Sequence, residues 1–95
     1  MGGGARVAAG EYEIRLLPAA AQEFRRLQGS VRERVEAAID GLGGSPRPVG
    51  CVELAGRDDF RIRIGDYRVV DAVDDAERLV IVARIAHRRE IYRRA

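Results

Sequence analysis

The chain has no lysine, and all seventeen of its basic side chains are arginine. Arginine stays protonated and is a poor general base, so proton abstraction falls to a carboxylate, His87, Tyr92 or the substrate's surroundings. The single cysteine, Cys51, excludes an internal disulfide, and the single histidine leaves no metal-ligand set. Cys51 reads as a small apolar filler, because a nucleophilic thiol needs a base beside it and the neighbouring residues offer none. No apolar run approaches the length of a membrane span. The start, Met1-Gly2-Gly3-Gly4-Ala5-Arg6, lacks the apolar centre of a secretion signal, and Arg6 breaks the myristoylation pattern. A cytoplasmic protein without membrane attachment is the expectation. Gly43-Gly44 is not followed by the Lys-Ser/Thr of a phosphate loop, which excludes that nucleotide-binding motif.

What is present is charge with a direction. The formal net charge is only +2, which does not by itself announce a nucleic-acid binder. Acids gather in Asp71, Asp74, Asp75 and Glu77 around one turn, whereas the tail reads His87-Arg88-Arg89-Glu90-Ile91-Tyr92-Arg93-Arg94. The field such a distribution makes is more informative than its sum.

Length predicts one domain with one modest core, spanning residues 11–95 after a Gly- and Ala-rich, flexible leader of residues 1–10. Tyr12-Glu13-Ile14-Arg15-Leu16 alternates as a short strand, and Pro18 suits the first turn of a helix. Ala20, Phe24 and Leu27 form that helix's apolar face, and Gln28-Gly29 is its expected stop. Ser30-Val31-Arg32-Glu33 has the spacing of a capping box. Val31, Val35, Ala38, Ile39 and Leu42 then form the apolar stripe of a second helix. Its opposite face, Arg32, Glu33, Arg34, Glu36 and Asp40, reads as solvated. Residues 43–50 are a loop by composition. Residues 52–59 do not declare an element.

Phe60-Arg61-Ile62-Arg63-Ile64 alternates with period two, and Gly65-Asp66 supplies a two-residue hairpin turn. Ile64 then faces Tyr67, Arg63 faces Arg68 and Ile62 faces Val69, which places Arg61, Arg63 and Arg68 together on one face. Like charges directly opposite each other weaken a strand pair, so the cluster suggests an anion that belongs there. Arginine's planar fork matches a phosphate, and RNA is the natural polyanion. The alternative is a solvated face neutralised by Asp58, Asp59 or Asp71. After an acidic turn, Leu79-Val80-Ile81-Val82-Ala83-Arg84-Ile85 is apolar enough for an interior strand. The order is β-α-α-β-β-β, an α+β, two-layer fold in which a mainly antiparallel sheet carries two helices on one face.

Phe60-Arg-Ile-Arg-Ile-Gly-Asp-Tyr-Arg-Val-Val, followed after an acidic turn and an apolar strand by Ala86-His-Arg-Arg-Glu-Ile-Tyr-Arg, resembles the RelE/ParE toxin superfamily, nearer its RelE branch. The resemblance implies a RelE-like fold and a type II toxin–antitoxin toxin, a ribosome-dependent endoribonuclease that cuts mRNA and inhibits translation. The implied reaction is attack by a ribose 2′-hydroxyl on the adjacent phosphate, giving a 2′,3′-cyclic phosphate without metal or other cofactor. It assigns Arg68 and Arg88 to the developing phosphorane charge, and Arg61 and Arg63 to positioning the backbone and lowering the 2′-hydroxyl pKa. Tyr92 would stack on or orient a base, and Arg89 and Arg93 would contact RNA. Family members often carry lysines where Arg61 and Arg63 stand; with none here, His87 becomes the titratable candidate, against a purely structural hydrogen-bonding role. Implied partners are the ribosome, mRNA and a cognate RelB-like or other small antitoxin, with a toxin–antitoxin heterotetramer as one assembly. Two other classes stay open: a ParE-like DNA gyrase inhibitor without nuclease activity, and a catalytically weak member that only binds antitoxin.

Overall fold

The computed structural model describes residues 6–7, 11–54 and 59–89. Its elements are β1 (Arg6–Val7), β2 (Glu13–Leu16), α1 (Pro18–Arg26), α2 (Gly29–Gly41), β3 (Val52–Leu54), β4 (Asp59–Ile64), β5 (Tyr67–Asp74) and β6 (Leu79–His87). The described strands form one six-stranded sheet in the order β1-β2-β6-β5-β4-β3. Only β2 and β6 run parallel; the other neighbours are antiparallel. The expected strand–helix–helix–three-strand order is therefore present, extended at both edges. Val52–Leu54 pairs with β4, and Arg6–Val7, within the stretch expected to be a leader, pairs with β2.

Local chemistry accounts for the helices, with two corrections. Pro18 occupies the first turn of α1, and Arg25 and Arg26 lie in its last turn, where cations complement the helix dipole. The helix ends at Arg26, with extended Leu27 as its cap, so the stop falls before Gln28-Gly29. Gly29 instead opens α2, its φ of +64° supplying the left-handed step that L side chains resist. The capping box does not form: Gln28 is the N-cap residue of α2 and makes no side-chain cap bond. Ser30 sits inside the first helical turn, whereas a capping hydroxyl must come from an extended residue outside it.

The helices pack on one face of the sheet. Ala20 and Leu27 of the first helical segment, and Val35, Ile39 and Leu42 of the second, meet Ile14, Phe60, Ile64, Val69, Val73, Val80, Val82 and Ile85. β6 is interior, paired on both sides, as its apolar run demands. A register shift at Val70/Asp71, where Val70 pairs with Arg84 but Asp71 with Val82, leaves Ala83 as the extra residue of a bulge. Beyond the bulge the strand continues to His87, and that end carries the candidate site.

Candidate phosphate-binding face

The β4–β5 hairpin is built as its alternation demands. Gly65 takes φ +60° in the turn, and Ile64↔Tyr67, Arg63↔Arg68 and Ile62↔Val69 are paired. Directly paired residues share a face, so Arg63 and Arg68 lie side by side, opposite the core face of Ile64 and Val69. Arg61 follows on the same face, paired with Val70 and with Val52 of β3.

The three differ in environment. Arg63 is exposed, its Nε donating to Gly65 O at 3.4 Å. Arg61 is half-buried. Arg68 is only 6% exposed, and its Nη1 donates to Tyr67 O at 3.3 Å. Among the described residues none of the three pairs with a carboxylate. A buried guanidinium without a counter-ion is costly, and an entering anion offsets that cost. Nor is Asp71 the neutralising acid. It pairs with Phe60, lies on the core face between Val69 and Val73, and is 1% exposed. Asp58 lies outside the described residues.

Arg88 is brought to the same end of the sheet, because its N–H donates to Asp66 O of the hairpin turn at 2.8 Å. Asp66, His87, Arg88 and Arg89 line an open cavity of about 420 Å³. His87 does not join the arginine row: it pairs with Tyr67, one residue beyond the Arg68↔Ala86 pair, and so takes the opposite face. Its ring meets that of Tyr67 edge-on, with centroids 5.4 Å apart, and Nδ1 accepts the Arg89 N–H at 3.3 Å. Tyr92 and Arg93 lie outside the described residues.

The α2 face of Arg32, Glu33, Arg34, Glu36 and Asp40 is solvated as expected, and tertiary packing brings one of its cations to the turn. The Arg34 guanidinium lies beside the turn, 3.4 Å from where a Cβ on Gly65 would stand. Arg32 covers the Phe24 ring at 5.0 Å, and exposed Arg25 and Arg26 lie in the last turn of α1. None of these four pairs with a carboxylate among the described residues. At the far end, by contrast, Arg47 holds Asp75 at 2.9 Å, and the Tyr12 hydroxyl donates to the same carboxylate at 2.6 Å. That pairing holds the Asp75 pKa below its ordinary value, Arg47 being the larger cause and Tyr12 the next. Arg63, Arg68 and Arg34, without a carboxylate partner among the described residues, thus lie at the hairpin-turn end, and Asp74, Asp75 and Glu77 at the other. Such a field orients a polyanion before contact.

A family profile described as the ParE toxin of the type II toxin–antitoxin system parDE matches residues 14–92. Toxin RelG of Mycobacterium tuberculosis is 34% identical over 87 residues, covering 87% of this chain and 98% of the relative. The chain belongs to the RelE/ParE superfamily of type II toxin–antitoxin toxins. Escherichia coli toxin RelE, solved in the free state as a double arginine-to-alanine variant, matches with a TM-score of 0.72 at 26% identity, over 86% of this chain and 90% of that one. The same variant in complex with a peptide of the antitoxin RelB matches with a TM-score of 0.69 at 26% identity, over 88% and 93%. Among the described residues no helix is long and apolar enough to cross a membrane.

Proposed function

We propose that this toxin is a metal-independent, ribosome-dependent endoribonuclease that cuts mRNA and so arrests translation. The observation that carries the reading is Arg68: a buried guanidinium directly opposite Arg63, with no carboxylate partner among the described residues. A sheet that juxtaposes two permanent cations, with Arg61 diagonally beside them, is stabilised when a phosphate enters. The reaction forms a bond from the 2′-oxygen to phosphorus and breaks the bond from phosphorus to the 5′-oxygen. The 2′-proton leaves in the first half, and a proton reaches the leaving oxygen in the second. Arg68 and Arg88 hold the charge that grows on the pentacoordinate phosphorus, the electrostatic effect on which such a site chiefly depends. Arg61 and Arg63 position the backbone and ease ionisation of the 2′-hydroxyl. Tyr92 orients a base by stacking, and Arg89 and Arg93 hold flanking phosphates; His87 lies on the opposite face of the sheet, so the 2′-proton falls to Tyr92 or the substrate's surroundings.

The partner of the resting toxin is a small antitoxin encoded beside it, with a segment that folds on binding and covers this face. The RelB peptide bound to E. coli RelE supports that arrangement, and a heterotetramer of two toxins and two antitoxins is one assembly open to it. The cytoplasm is the compartment in which ribosomes would meet it.

A second reading, inhibition of DNA gyrase by binding, is favoured by the family profile, whose description is of ParE. A translation reaction with mapping of mRNA 5′ ends separates the two. Codon-positioned cuts that disappear on Arg68→Ala and fall at least about tenfold on exposed Arg63→Ala, with the fold retained, are the expected result. Intact mRNA together with blocked supercoiling would transfer the case to gyrase, and no effect in either assay would leave antitoxin binding alone.

A further inference from the structure

Glu23, on α1, stands where a strand is missing. β2 pairs with β6 only as far as Leu16↔Val82, and Leu17 N–H adds a last bond to Val82 O at 2.9 Å. β6 runs on through the bulge to His87, beyond the reach of β2. There Glu23 Oε1 accepts the Ile85 N–H at 2.7 Å. Its other oxygen, Oε2, accepts from Arg84 Nε at 2.9 Å and lies 2.7 Å from Arg84 Nη2. Short, charge-assisted contacts of this kind are stronger than neutral ones, and the carboxylate is largely withdrawn from water. The opposite edge of the same segment is paired with β5 through Val69↔Ile85, Arg68↔Ala86 and Tyr67↔His87, and Arg88 N–H to Asp66 O continues that side. Glu23 is thus the contact on the edge that β2 leaves open.

We propose that Glu23 is a positioning residue for the arginine site: its carboxylate replaces the absent strand and holds the Arg84–Arg88 segment in register against the Arg63–Arg68 hairpin. The functional consequence rests on the nuclease reading; the mechanical part does not. Glu23 touches no substrate in this scheme and acts through where Arg88 and the floor beside Arg68 are held. Misplacement of a phosphate-gripping group by about 1 Å is enough to cost up to a hundredfold in rate.

The test compares Glu23→Ala and Glu23→Gln in the full chain by residue-resolved amide hydrogen exchange and by mRNA cleavage kinetics in a translation reaction. In Glu23→Ala the Ile85 and Arg88 amides lose protection about tenfold or more, while Val80 and Val82 in the paired half of the same strand keep theirs. For the same variant kcat falls about tenfold or more with KM within about twofold, the split expected of lost positioning. Glu23→Gln keeps a carbonyl oxygen for the Ile85 N–H and restores most of both. Parental protection at Ile85 and Arg88 in Glu23→Ala overturns the proposal, as does unchanged kcat when that protection has gone. If Glu23→Ala does not fold, Glu23→Leu, which keeps the bulk and removes both acceptor oxygens, decides by the same readouts: lost protection at Ile85 and Arg88 with lowered kcat supports the idea, and parental protection or a change confined to KM sinks it. A parent that leaves mRNA intact removes the nuclease reading, and the exchange pattern still shows whether Glu23 holds the segment.

Discussion

Asp71 should make this protein less stable as pH rises from about 4 to 7, and replacing it should remove that slope. The residue lies on the core face of β5 between Val69 and Val73, 1% exposed, with neither carboxylate oxygen hydrogen-bonded among the described residues. Burial first, then the nearby Asp59 charge, pushes its pKa from 3.8 up to about 7, against a smaller opposing effect of Arg47. Because the folded value lies above the unfolded one, the folded state binds the proton more tightly and ionisation opposes folding. Below about pH 4 the carboxyl is neutral in both states and there is no penalty. Between the two values the penalty grows, and above about pH 7 it is constant. The difference between 3.8 and about 7 corresponds to a penalty of about 4 kcal/mol, a large share of the stability of a small domain. Asp71→Val continues the Val69/Val73 pattern and buries no unpaired polar atom. Urea denaturation of both proteins at pH 4.5, 6 and 8 should show Asp71→Val gaining about 4 kcal/mol at pH 8 and about 1 kcal/mol at pH 4.5. A difference between the two proteins that is flat with pH, or a less stable Asp71→Val at pH 8, would refute the reasoning, because the carboxylate would then have a partner that offsets its burial.

Two further outcomes follow from the hairpin end. Gly65→Ala forces a Cβ into a φ of +60° and against the Arg34 guanidinium, and should cost about 1–2 kcal/mol by chemical denaturation, with Gly65→Asn costing less. If Arg25, Arg26, Arg32 and Arg34 take part in polyanion binding, converting all four to glutamine should weaken binding to a non-cleavable RNA and flatten its salt dependence, by about 0.7–0.9 in slope for each phosphate no longer neutralised. Titrations that stay parallel would confine binding to the sheet face.

The hairpin register was legible in the sequence because a two-residue turn with Gly65 admits one pairing, and period-two alternation then assigns every face. The same parity places Asp71 with Val69 and Val73. Grouping it with Asp74 and Asp75 by nearness along the chain hid a buried carboxyl that the alternation already marked. β3 was illegible because its three residues draw their order from pairing with β4 rather than from their own pattern. The capping-box spacing misled because the left-handed turn at Gly29 starts the helix two residues early, and motif spacing carries no backbone angle.

Alternation, the Gly65-Asp66 turn and the apolar run of β6 are short-range properties, since each depends on neighbours a few residues away, and so the sequence alone determined β2, the β4–β5 hairpin and β6, the hairpin's faces and the Arg63–Arg68 pair. The tertiary structure alone decided which charges meet across long separations. Glu23 reaches Arg84 and Ile85, Arg34 reaches the Gly65 turn, and Tyr12 and Arg47 converge on Asp75, while Arg63 and Arg68 meet no carboxylate among the described residues. Those meetings are set by how far β2 extends along β6 and where the helices turn back, quantities fixed by packing of the whole core.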